Sequence, residues 1–223
     1  MKPFAYVFVV VSSRMGTSKC ALSYEEGTDE TIAFSKFTAK LSFDKLVYAS
    51  VPIFDKVSLA WDRFVKFIKS NDGEIVDGLR FRKCDVEWLC MQFADDIGEW
   101  PQTYLRRYAA VASIQSQRVE YAGVFNWYDE NMDSACARIK KTLPINLRSQ
   151  LCAIFDGAAD GACEEIMRRH EALPFESIGC FKFARIAPQI LIKELDSAIM
   201  TYQGAGYGDV ERRDFIPCDD EMT

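Results

Sequence analysis

Hydrophobic and polar positions change period several times along the chain, and each change marks an expected element. Residues 4–11 are an aromatic and β-branched run, too short for a buried helix, and read as a strand. Residues 20–24 are a weaker second strand across the Ser/Gly/Thr connection 12–19, so the two predict a hairpin. Past Gly27, Thr28 or Asp29 is placed to cap a helix bearing Phe34, Phe37 and Leu41 at i, i+3, i+7. Phe54, Val57, Trp61, Phe64 and Ile68 follow a 3-4-3-4 spacing, with Lys56, Arg63, Lys66 and Lys69 on other faces. Pro52 lies near that helix start and Asn71-Asp72-Gly73 ends it.

Residues 74–84 are ambiguous, although Leu79 and Phe81 alternate with Arg80 and Arg82 as in an edge strand. Asp85 caps a helix carrying Val86, Leu89, Cys90, Phe93 and Ile97, stopped before Pro101. From residue 102 to about 128 the one breaker is Gly123, and 109–117 carries no charge, which predicts a central helix apolar on most of its circumference. Asp133 caps a short helix to Thr142; after Pro144, the positions Leu147, Leu151, Ile154 and Phe155 continue it on a new axis. Gly157 and Gly161 precede a stripe of Ala162, Cys163, Ile166 and His170, ended by Pro174. Pro188 opens a last helix with Leu191, Leu195, Ala198 and Tyr202, and Gly204 supplies its C-cap. No repeat of 20 to 50 residues is visible, which disfavours a solenoid. The expected fold is mainly α. A small N-terminal β element (1–27) packs on a single helical domain (28–203), followed by a polar acidic tail (204–223).

With 223 residues, 49% hydrophobic and 27% charged, the chain is an ordinary globular protein, and collagenous or low-complexity classes are excluded. No apolar run approaches the roughly 18 residues of a membrane span. Net charge is −6, of which −4 falls in residues 209–223, so the rest of the chain is nearly balanced. Two stretches hold no acid: 101–119, with Arg106, Arg107 and Arg118, and 134–155, with Arg138, Lys140, Lys141 and Arg148. The 8 cysteines show no zinc spacing, several fall on apolar helix faces, and there is no Asn-x-Ser/Thr sequon. The N-terminal run mimics a short signal peptide without a cleavage site, so reduced thiols in a cytosolic or nuclear setting are expected.

His170 is the sole histidine, which rules out paired-His metal sites and HExxH chemistry. Cys163 lies seven residues before it; a helix-edge histidine beside a buried thiol explains the pair without catalysis. Asp156, Asp160, Glu164 and Glu165 cluster, yet acids opening a helix complement its dipole. Gly204-Ala205-Gly206-Tyr207-Gly208 resembles a phosphate loop in composition alone. No cofactor and no metal are expected.

The remaining signal is cations interleaved with aromatics: Phe64-Val65-Lys66-Phe67, Arg80-Phe81-Arg82-Lys83, Tyr104-Leu105-Arg106-Arg107-Tyr108 and Phe181-Lys182-Phe183-Ala184-Arg185. Cations neutralise phosphates while exposed aromatics stack on unpaired bases; equally, aromatics facing a core and cations facing water produce the same string. The expectation is a non-enzymatic protein that self-associates and binds single-stranded nucleic acid along its backbone, in a coat- or nucleocapsid-like viral role. The binding residues are Arg106, Arg107, Arg118, Arg138, Lys140, Lys141 and Arg148, with the acidic tail a candidate occupant of the same groove. One alternative is an interaction module anchored by Trp100, Trp127 or the Leu173-Pro174-Phe175 corner. Another is a metal-dependent enzyme using Asp156, Asp160 and Glu164.

Overall fold

A computed structural model describes residues 4–12, 16–42, 44–156, 161–179, 181–203 and 211–215. It overturns the mainly helical expectation: among the described residues 41% are strand against 35% helix, in two six-stranded antiparallel sheets. The chain divides into two compact units, residues 1–105 and 106–223.

The first unit runs β1 (Phe4–Ser12), β2 (Gly16–Gly27), α1 (Glu30–Thr38), β3 (Lys45–Ile53), α2 (Leu59–Lys69), β4 (Glu74–Val76), β5 (Leu79–Lys83), α3 (Val86–Ile97) and β6 (Gln102–Thr103). The hairpin read from the sequence is present, but it forms the centre of a sheet ordered β4-β5-β2-β1-β3-β6. Leu79 to Lys83 is a strand as its alternation implied; it lies inside the sheet, and β4 is the edge. Asp29 caps α1 by accepting from the Ile32 amide at 2.9 Å, and Asp85 caps α3 by accepting from Trp88 at 2.7 Å. The spacing that began at Phe54 becomes helical only at Leu59; Phe54 and Val57 lie in the preceding loop.

The second unit runs β7 (Arg106–Ser116), β8 (Val119–Asp129), α4 (Met132–Thr142), a 3-10 turn at Ile145–Leu147, β9 (Gln150–Asp156), α5 (Ala162–Arg169), β10 (Phe175–Ile178), β11 (Phe181–Ala184), α6 (Pro188–Gln203) and β12 (Arg212–Asp214). The expected central helix is thus the β7–β8 hairpin. Its uncharged run is buried on both faces of a sheet, and such a strand is as apolar all round as a buried helix. Residues 147–155, also expected as helix, are mostly β9. A bulge leaves Cys152 without a partner on β7, so Leu151 and Ile154 share a face at an i, i+3 spacing that imitates a helix. Asn131, rather than Asp133, caps α4. The proposed Gly204 cap, and all of the acidic tail except 211–215, lie outside the described residues.

The two units are one design used twice. The second sheet is ordered β10-β11-β8-β7-β9-β12, the same path as the first with each strand number raised by six. Registers agree at a spacing of 102 for β1, β2, β4 and β5 and of 104 for β3: Val10↔Ala21 recurs as Ala112↔Gly123, Val76↔Leu79 as Ile178↔Phe181, and Val10↔Val47 as Ala112↔Leu151. The β1–β3 bulge between Val9 and Val10 recurs between Val111 and Ala112. Asn131 repeats the cap made by Asp29, accepting from Ser134 at 2.9 Å. The last strand is displaced furthest, since Ala49↔Thr103 becomes Ala153↔Asp214.

Each sheet is covered by one helix on one face and two on the other. In the first unit Tyr6, Phe8, Val10, Ala33, Phe37, Val47 and Phe81 pack under α1. Their counterparts Tyr108, Ala110, Ala112, Ala135, Ile139, Leu151 and Phe183 pack under α4. On the opposite face of the second sheet, α5 and α6 bury Cys163, Ile166, Leu191 and Leu195 against Val111, Val124 and Phe155. Among the described residues, no helix is long and apolar enough to cross a membrane.

Candidate nucleic-acid interface

Strand direction decides where the seven expected cations go. β7 runs from Arg106 and Arg107 at one end to the Gln117–Arg118 turn at the other, roughly 34 Å of extended chain. Arg106 and Arg118 therefore cannot share one groove through the strands that carry them. At the first end, Arg106 meets Asp156 at 3.5 Å and Arg138 meets the fully buried Asp129 at 3.3 Å. Asp129 also accepts from the Trp127 indole at 3.3 Å and the Glu130 amide at 2.9 Å, and burial holds its carboxyl above the ordinary range. Arg107 is half-buried on the same end of β7.

The other end holds Arg118 and Arg148, and Lys140 and Lys141 stand on the helix whose chain leads toward it. Arg118 occupies the hairpin turn, and Arg148, just before β9, reaches Gln115 at 3.4 Å. Lys140 and Lys141 close the last turn of α4, whose chain continues through Pro144; the Pro144 carbonyl accepts from Ser149 at 2.8 Å, beside Arg148. Lys140 lies 4.4 Å over the ring of Phe215, which follows β12. All four are exposed. The acid facing them from this hairpin is Glu120, opposite Gln115.

The aromatics of the interleaved segments do not accompany them. Phe64, Phe81, Tyr108, Phe181 and Phe183 are buried, and Phe67 and Tyr104 are half-buried. The alternation arises from residues facing alternately inward and outward on these elements, so their rings are not offered for stacking.

The other candidates resolve as follows. Asp156 pairs with Arg106, and Glu164 receives the Asn126 amide at 3.0 and 3.2 Å; Asp160 lies outside the described residues, as does the Gly204–Gly208 segment. Among the described residues no cluster of three metal-ligating side chains occurs. His170 faces Glu194 at 2.9 Å, while Cys163 is buried and its thiol is raised by burial. The six described cysteines are free thiols. Trp127 is buried, whereas Trp100 and Phe175 are exposed.

One polar group escaped the sequence reading. At the start of α1, Glu30 accepts from both the Ser50 and Tyr104 hydroxyls, which lie 3.0 Å from each other. With its amide oriented to donate, Gln102 adds contacts of 2.9 and 3.1 Å to the same carboxylate. Burial, then Glu30, pushes the Tyr104 hydroxyl up. These residues span 74 positions with no motif, so spacing offered no signal. In the second unit the matching positions are Met132, Ile154 and Phe215, all packed in its apolar core.

Fold and surface together define a duplicated, sheet-centred α/β protein with exposed cations on its second unit. Comparison with protein-family models, curated proteins and solved structures finds no match.

Proposed function

We propose that this is a non-catalytic protein that holds nucleic-acid backbone on its second unit, through Arg118, Lys140, Lys141 and Arg148. What supports this is the exposure of all four cations on one unit, with Arg118 in the hairpin turn and Arg148 bonded to Gln115 at the same end of β7. Phosphate is the part of a nucleic acid that such a surface addresses, because base stacking needs exposed rings. Arg106, Arg107 and Arg138 play no part in this contact. Self-association, a coat-like role and a reducing cytosolic or nuclear setting belong to the same reading.

Titration of single-stranded RNA against the full chain at two salt concentrations tests it. Binding should weaken steeply with salt, and Lys140→Glu/Lys141→Glu should flatten the log–log salt slope by about 2. Absence of binding at low salt, or affinity indifferent to salt, overturns the proposal.

A further inference from the structure

Apart from these cations, the first unit carries a group of side chains that its fold does not require. Tyr24 on β2 and Trp61 on α2 meet edge to face, 5.6 Å apart at 84°, and Phe64 backs both rings at 5.6 and 5.0 Å. Lys56, from the loop between β3 and α2, places its ammonium 5.6 Å from the Tyr24 ring and 5.0 Å from the Trp61 ring. The same ammonium sits 2.9 Å from the Glu26 carboxylate. Two ring faces and one carboxylate around a single nitrogen form a receptor for an organic cation. Around it the loop and the start of α2 expose Phe54, Val57 and Leu59 by 67%, 85% and 70%. Apolar side chains this exposed within one short segment mark an interaction surface.

The second unit provides the control. At the equivalent strand positions Tyr24 becomes Asn126 and Glu26 becomes Tyr128, α5 holds no aromatic residue, and residues 157–161 hold neither a lysine nor an aromatic. That unit nevertheless builds the same sheet in the same register. Folding therefore does not demand the cage or the apolar loop.

We propose that Tyr24, Trp61 and Glu26 receive a lysine or arginine side chain from a partner protein, with Phe54, Val57 and Leu59 contacting apolar residues beside that cation. Lys56 is the resting occupant, and it defines the chemistry that displaces it. Charge complementarity selects the partner segment, since exposed Glu26, Asp55 and Asp62 rim the surface. This contact is independent of the nucleic-acid reading, which uses the other unit.

The test titrates the full chain and its Lys56→Ala variant with the peptide acetyl-Leu-Lys-Phe-amide, following the Trp61 indole N–H by NMR. Vacating the cage should tighten peptide binding about tenfold relative to the unaltered chain, and replacing the peptide lysine by norleucine should abolish saturation. Overturning results are no saturable shift in the variant, equal response to the norleucine peptide, or equal affinity with Lys56 present. Light scattering on Lys56→Ala provides a second arm: self-assembly through the vacated cage would make the occupant a second copy of this chain and reject a partner protein.

Discussion

Under α1 the first unit packs large rings: Phe8 stacks on Phe37 at 4.7 Å and meets Phe34 at 6.2 Å. The matching positions under α4 are Ala110, Ile139 and Cys136, and the lost volume is returned from elsewhere, by Trp127 in place of Glu25 and Phe181 in place of Leu79. The difference is sharpest where Glu30, Ser50 and Tyr104 form a hydrogen-bonded network and Met132, Ile154 and Phe215 form a greasy contact. Both arrangements support one topology. What the units keep is register, bulge position and helix caps; what they exchange is the chemistry filling the space, provided volume is conserved.

The equivalence is open to direct attack. Phe81 and Phe183 occupy matching positions and are both fully buried. Phe81→Ala and Phe183→Ala should each cost about 3–5 kcal/mol in urea denaturation, and a large gap between them would break the parallel. A second test transplants chemistry. Ser50→Ile alone removes a partner from the Glu30 carboxylate and should cost about 2 kcal/mol. The triple change Glu30→Met/Ser50→Ile/Tyr104→Phe should be neutral or stabilising by about 1–4 kcal/mol. If the triple variant is less stable than the single one, the network is part of the fold.

The smallest effect concerns Asp129, which replaces the Gly27 of the first unit. Burial raises its carboxyl above the ordinary value of 3.8, so the folded chain retains a proton that the unfolded chain has released. Its contribution is greatest below that value, declines as pH rises toward the folded value, and is constant above it. Asp129→Asn should remove this downward slope from a stability profile measured from pH 3.8 upward.

Several elements were legible because one face was wet. α2, α3, α5 and α6 announced themselves by helical spacing, and Asp29 and Asp85 cap as their positions implied. The β7–β8 hairpin was not legible, since a strand buried on both faces shows no alternation, and the turn between its halves contains neither glycine nor proline. β9 misled through its bulge. The duplication escaped because its spacing of 102 to 104 exceeds any short-repeat search, and equivalent positions rarely keep identity: Tyr6 and Tyr108, Val9 and Val111, Ala33 and Ala135, Ala49 and Ala153, Glu74 and Glu176, and Phe81 and Phe183 are among those that do. At the candidate site, residue type was readable and convergence was not. Arg118 and Arg148 meet at one end, and Arg106 leaves for the other, because of strand direction.

The tip of the second hairpin has a design consequence. Gln117 and Arg118 hold φ of 50° and 67°, a left-handed backbone where glycine or asparagine relaxes most easily. Asn-Gly at this tip would relieve torsion and delete a guanidinium in the same stroke. On the proposed function, thermal resistance and grip on a polyanion would then move in opposite directions, so a chain refined for durability alone would be expected to shed the arginine.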